Sequence, residues 1–195
     1  FDLYVNGVEV SGVDAEDFKM LEEANKVVFM GDKSSDEYDK IFATFYTYQM
    51  VVSVNTEEEL IETNATTIDL NKDTRNNDKF IYTITMDGEP IELGDLQEND
   101  VLNIVKPCSD IQDVFDANYD DDINFLDIIV TRSTVEGMVD GKGTEDDEYY
   151  IDGTEYKLAK DANALTIGDT GVFYLTIDGK ILDMTIGEES GISGN

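Results

Sequence analysis

The chain contains no histidine and no tryptophan, and a single cysteine. Without histidine there is no imidazole base, no Ser-His or Cys-His nucleophile and no imidazole metal ligand. Acid–base chemistry would have to rest on carboxylates alone. Cys108 cannot form an internal disulfide. With no histidine to activate it, it reads as a small buried apolar residue and not as a nucleophile. So few cysteines fit a bacterial surface protein as well as a cytosolic one. No apolar run approaches 18 residues, so no transmembrane segment is expected. There is no signal peptide pattern, and Phe1 is not an initiator methionine. The chain is therefore expected to be a processed form or a fragment.

Positive charge is also scarce. Thirteen Lys and Arg face 45 Asp and Glu, a formal net charge of −32. Such a surface repels nucleic-acid phosphates and anionic lipid, so neither is an expected partner. It suits cations, a basic partner or plain solvation. Hydrophobic residues make up 41% of the 195, enough for a real core and too many for wholesale disorder.

The pattern is mostly β. Short alternating runs are split by turn pairs: Asn6-Gly7, Asp87-Gly88, and Asp-Gly at 140–141, 152–153 and 178–179. Such pairs favour the positive φ that tight hairpins require. Residues 1–48 read as a β-α-β-β unit with one helix over 13–25, capped by Asp14, with Glu16 and Asp17 in its first turn and Phe18 and Leu21 on its apolar face. Residues 27–30 read as a buried strand and 41–48 as a single strand. Residues 49–133 read as a first small β-barrel carrying an irregular acidic insertion at 107–124. Residues 134–187 read as a second barrel, since about five strands in so short a stretch are expected to close and remove their edges. Residues 188–195 are rich in Gly and Ser and read as a linker. The run Leu96-Gln97-Glu98-Asn99-Asp100 before an apolar strand parallels Leu165-Thr166-Ile167-Gly168-Asp169 before another. A degenerate tandem duplication is expected.

Three phrases carry a family resemblance: DLQENDVLNI from Asp95, IIVTRSTVEG from Ile128 and IDGTEYKLA from Ile151. Val5-Asn6-Gly7-Val8-Glu9-Val10 and the acidic loop ending Tyr38-Asp39-Lys40-Ile41 belong with them. They resemble the repeat region of clostridial (Gram-positive) cell-surface proteins that carry S-layer homology domains. The resemblance implies an extracellular, cell-wall or cell-surface location and a non-catalytic structural or adhesive role within a multi-domain protein. Its partners would be other surface-protein domains or copies of itself. The anchoring domain itself is not among these residues.

Two acidic loops are candidate metal sites. Asp116, Asn118, Asp120, Asp122, Asn124 and Asp127 place oxygen ligands at positions 1, 3, 5, 7, 9 and 12 of a calcium loop, with position 7 contributing through its backbone carbonyl and Ile123 at the apolar position 8. Asp121 stands where such loops carry Gly, and Asp127 is shorter than the usual Glu. A weaker candidate is Asp32, Ser34, Asp36 and Asp39. Ca2+ is the cofactor that this chemistry points to, and a solvated acidic turn is the alternative. A second function class is a carbohydrate- or host-ligand-binding module, using Tyr46, Tyr48, Tyr149 and Tyr150 as stacking surfaces for a polysaccharide; core packing competes for the same residues. A third alternative is a subunit of an extracellular filament that donates residues 1–10 to a neighbour's sheet. A carboxylate-pair hydrolase is the last class, and no pair stands out from the acidic background.

Overall fold

The computed structural model describes residues 1–31, 39–117, 119, 123–160 and 162–187. They are mostly β, with one short helix and three sheets, none closed into a barrel. The chain divides into two compact units, Phe1–Val130 and Thr131–Asn195. No helix among the described residues is long and apolar enough to cross a membrane.

The first sheet holds β1 (Asp2–Val5), β2 (Val8–Val10), β3 (Lys26–Met30) and β4 (Lys40–Thr44), in the order β2-β1-β4-β3. Asn6 and Gly7 turn β1 into β2 with φ of 48° and 84°, the left-handed pair of a two-residue hairpin. β1 runs parallel to β4, Leu3 opposite Ile41. Residues 1–10 pair inside this chain, with β1 an inner strand. Between the hairpin and β3 lies α1 (Ala15–Met20), continued by a 3-10 turn at Leu21–Glu23. Asp14 caps it: Oδ1 accepts from the Glu16 and Asp17 N–H groups at 2.7 and 3.2 Å, and the Asp17 carboxylate accepts from the Asp14 N–H at 2.9 Å. That reciprocal pair satisfies donors a helix start otherwise leaves unpaired. The Asp14 N–H, and then the Gln112 side chain at 2.8 Å, hold the Asp17 carboxyl below the usual carboxylate range.

Alternation places Leu3, Val5, Val10, Ile41 and Ala43 in one buried cluster. Cys108, Ile111 and Val114 complete it. The start of the stretch that reads as an irregular acidic insertion thus delivers three apolar side chains to the first core. Burial pushes the Cys108 thiol up, which fits the inert role expected of it.

Two local expectations fail here. The 27–30 strand is not buried: β3 is an edge, and Val28, Phe29 and Met30 are 39%, 52% and 53% exposed. A six-residue helix spans only about 9 Å, too little to cover four strands. Residues 41–48 are not one strand either. The chain breaks at Phe45 and Tyr46, and β5 (Thr47–Asn55) enters a different sheet. The Phe45 and Tyr46 N–H groups donate to Asn6 Oδ1 and Asn25 Oδ1, both at 2.8 Å. Side chains satisfy the backbone there, so no ladder is required.

The second sheet adds β6 (Leu60–Thr63), β7 (Thr67–Asp69), β8 (Ile81–Met86), β9 (Glu89–Pro90), β10 (Val101–Val105) and β11 (Phe125–Thr131) to β5. Its order is β7-β6-β5-β10-β11-β8-β9. Val51, Ile61, Ile68, Phe80, Leu102, Ile104 and Ile128 form its core. It stays open, and Pro90 at its rim has no N–H to extend a ladder.

The third sheet holds β12 (Thr134–Lys142), β13 (Glu148–Ile151), β14 (Thr154–Lys157), β15 (Thr170–Leu175) and β16 (Ile181–Ile186), in the order β14-β13-β12-β15-β16. A barrel over 134–187 is expected from sequence, and an open sheet is found. Asp140-Gly141 is not a turn: it lies inside β12, where the register with β13 shifts between Val139 and Gly141. The irregularity splits β12, one half pairing with β15 and the other with β13, as a bulge that bends a strand allows. Among the described residues the outer ends meet at a bridge between Leu158 and Ile181. That bridge does not extend into a ladder between β14 and β16, and closure needs strand length and stagger to match.

Candidate functional site

The acidic loop is built onto two buried cations. Arg75 is 2% exposed and Lys106 5%. Nη1 of Arg75 donates to the Asp69 carbonyl at 2.9 Å and to the Tyr119 carbonyl at 3.0 Å. Its guanidinium lies 4.2 Å from the centre of the Phe80 ring, a favourable cation–π placement. Nζ of Lys106 donates to the Asp116 carbonyl and sits 5.8 Å from the Tyr119 ring centre. In a chain of −32 these cations bind main-chain oxygens of the loop, which fixes its backbone at Asp116 and Tyr119.

Tyr119 is buried in the second core. Gln49 Nε2 donates to its hydroxyl at 3.0 Å, and Thr63 Oγ1 donates to Gln49 Oε1 at 2.7 Å. Burial pushes the phenol from 10.0 up to about 12. The folded chain therefore holds this proton more tightly than the unfolded chain. The associated stability is fully present below pH ~10 and is lost as the pH rises towards ~12. Tyr119 is expected to give a late step, towards pH ~12, when phenolate absorbance is followed. Tyr119→Phe should remove that step and cost about 1 kcal/mol at neutral pH through the lost hydrogen bond.

Of the six calcium-loop residues, Asn118, Asp120 and Asp122 lie outside the described residues, as do Asp32, Ser34 and Asp36 of the weaker loop. Asp127 lies in β11, where its Oδ1 accepts from Thr83 Oγ1 of β8 at 2.6 Å. Asn124 Oδ1 accepts from Asn77 Nδ2 at 3.4 Å. Asp116 meets Lys106 through its carbonyl, and the Asp39 N–H donates to the Met30 carbonyl at 2.8 Å. Among the described residues no three carboxylates or thiols gather as metal ligands.

The four tyrosines do not form one exposed surface. Tyr149 is 3% exposed and sits in the third sheet's core. Tyr46 and Tyr48 are half-buried with ring centres 6.2 Å apart, and the Tyr48 hydroxyl accepts from Asn25. The half-buried Tyr150 donates to Glu155 Oε2 at 2.9 Å. Polar–apolar alternation alone could not tell the buried Tyr149 from its neighbour.

One local geometry occurs twice. Asn99 N–H donates to the Val51 carbonyl at 2.9 Å, and Gly168 N–H to the Val139 carbonyl at 2.8 Å. Val51 N–H returns to the Asp100 carbonyl at 2.9 Å, and Val139 N–H to the Asp169 carbonyl at 2.8 Å. Asp100 Oδ2 accepts from Gln97 N–H at 2.9 Å, and Asp169 Oδ2 from Thr166 N–H at 3.1 Å. Asn99 and Gly168 both have positive φ, 71° and 101°, where Asn and Gly are the cheapest residues. Asn64 Oδ1 accepts from Met50 N–H at 2.9 Å, and Asp152 Oδ1 from Met138 N–H at 3.1 Å. β5 shifts register against β6 between Val51 and Ser53, as β12 does against β13 between Val139 and Gly141. The order β7-β6-β5-β10-β11 repeats as β14-β13-β12-β15-β16. The β8–β9 hairpin, inserted in the chain between β7 and β10, has no counterpart strands among the described residues between β14 and β15.

No protein-family model, curated protein or solved structure matches this chain.

Proposed function

We propose that the chain is a non-catalytic structural or adhesive module of an extracellular bacterial surface protein, S-layer-like or wall-associated and multi-domain. The observation that carries the reading is the repeated five-strand frame. Two copies share strand order, register shift and side-chain hydrogen bonds, as expected of a duplicated unit used as a building block. A second support is charge: −32 suits a solvated surface exposed to external cations. The phrases beginning at Asp95, Ile128 and Ile151 are those resembling repeats of S-layer homology proteins. Brief protease treatment of intact producing cells should release peptides from residues 1–187. Recovery of such peptides only after lysis would overturn the location.

Calcium belongs to the same proposal. Like charges resist closure of a loop rich in carboxylates, and a divalent ion bound only to the folded chain stabilises it. Extracellular modules hold calcium with Kd about 10⁻⁴ to 10⁻³ M, so millimolar calcium should add roughly 0.4–1.4 kcal/mol at one site. The melting temperature is expected to rise above that in sodium chloride of matched ionic strength. Asp116→Ala or Asp120→Ala should remove most of the rise, and Asp32→Ala should keep most of it. Identical melting curves in the two salts would eliminate the site.

A further inference from the structure

Each of the three sheets ends in two edge strands, and an open edge is a template for another chain unless something blunts it. Five of the six carry a carboxylate: Glu9 on β2, Asp69 on β7, Glu89 with Pro90 on β9, Glu155 on β14 and Asp183 on β16. β3 reads Lys26-Val27-Val28-Phe29-Met30 and carries none. It also holds three consecutive exposed apolar residues. No Asp or Glu occurs at 24–31, or at 40–56, which includes its neighbour β4.

The face of β3 bearing Val28 and Met30 continues an apolar row. Tyr4 lies opposite Phe42, and Phe42 opposite Val28. The Tyr4 and Phe42 rings stack with centres 4.9 Å apart, and Lys40 sits 5.3 Å from the Tyr4 ring centre. Lys26 and Lys40 are the basic residues of this strand pair. In a chain of −32, self-association is opposed wherever carboxylates face one another. The β3 and β4 strands carry no carboxylate to oppose it; the nearest in sequence are Glu22 and Glu23 before β3 and Asp32, Asp36, Glu37 and Asp39 between the two strands.

The strand is also complementary to itself. Antiparallel pairing centred on Val28 sets Val28 against its copy, Val27 against Phe29, and Lys26 against Met30. No like charges then stand directly opposite. Every contact off the axis occurs twice, as a two-fold interface requires.

We propose that β3 is a self-association strand: two copies of the chain pair β3 against β3, antiparallel about a two-fold axis at Val28, joining two four-stranded sheets into one of eight. The assignment deepens the building-block reading by naming the contact between copies. A five-residue edge buries little area, so the dimer is weak. Salt strengthens it by screening the net charge.

Sedimentation velocity of the whole chain at 10–500 µM in 0.5 M sodium chloride tests the pairing. Monomer is expected to give way to dimer across that range. Val28→Glu, which adds the carboxylate the other edges carry, should weaken the dimer at least tenfold without changing the melting temperature. Mild oxidation should cross-link Val28→Cys to itself, since the paired Cα atoms lie within disulfide reach. Lys26→Cys should stay uncross-linked, because the two copies of residue 26 are about 13 Å apart in this register. A chain that stays monomeric at 500 µM overturns the proposal. So does a dimer indifferent to Val28→Glu, or cross-linking of Lys26→Cys as fast as Val28→Cys. Protease shaving of cells is read independently, so a monomeric chain shaved from the surface sinks this contact and leaves the surface reading standing.

Discussion

Arg75→Ala is expected to destabilise the first unit by about 3–5 kcal/mol. The side chain is 2% exposed, and its guanidinium serves two main-chain carbonyls on segments far apart in sequence. Leaving a buried acceptor without its donor costs about 1–3 kcal/mol each. Losing the contact with Phe80 at 4.2 Å and opening a cavity add to that. Arg75→Lys keeps the charge but not the planar group that lies on the ring, so it should restore less than half of the loss. Chemical denaturation measures both variants against the parent chain. A loss below 1 kcal/mol for Arg75→Ala would mean that Arg75 does not hold the Asp69 and Tyr119 segments together.

Gly171→Ala is the second large effect, expected at about 2–4 kcal/mol and confined to the second unit. A Cβ on Gly171 would stand 2.0 Å from the Thr185 carbonyl oxygen and 3.1 Å from the Gly187 nitrogen. Both are backbone atoms on or beside β16, so the strands must separate, and strain of this kind typically costs 1–3 kcal/mol or more. Gly137, opposite Gly171 across β12 and β15, is a useful contrast. A Cβ there meets side-chain atoms, Asp152 Oδ2 at 2.6 Å and Ile151 Cγ2 at 2.8 Å. Those can move, at the expense of the bond from Met138 N–H to Asp152, so Gly137→Ala should cost about 1 kcal/mol. At the matching positions of the first frame Leu102 faces Gln49, and Leu102 is fully buried. Amide exchange localises the damage: Gly171→Ala should speed exchange in β15 and β16 and leave β5 and β10 unchanged. Equal loss of protection in both units would contradict it.

Much of the β pattern is legible from turn chemistry. Asn6-Gly7 and Asp152-Gly153 favour a reversal locally, because few other pairs tolerate two left-handed residues. The Asp14 cap is legible for a similar reason: its hydrogen bonds are made to the next three residues. What fails depends on partners far away in sequence. Asp140-Gly141 has the same composition as a turn, yet β15 and β13 take up the strand on either side of it. Residues 27–30 look as apolar as a core strand, and only the sheet order shows that they form an edge. Sheet closure depends on strand length and stagger, which alternation does not encode.

The candidate site was legible as charge and not as geometry. Asp116 to Asp127 stand out by spacing, and Asp127 turns out to share a hydrogen bond with Thr83 on the neighbouring strand. Arg75 and Lys106, which fix the loop's backbone, lie 41 and 10 residues before its first member and follow no motif. The signal available for Arg75 was composition: it is one of two arginines in the chain, set in a polar loop five residues before Phe80.

The two five-strand frames share strand order, register shift and matching hydrogen bonds, and the second is expected to hold its sheet alone. Residues 131–187 expressed alone test it most directly, by amide hydrogen exchange compared with the whole chain. Cooperative unfolding is expected, with protected amides in β12, β13, β15 and β16 and in the bonds from Val139 and Gly168 that mirror those from Val51 and Asn99. A random-coil spectrum with no protected amides would contradict it.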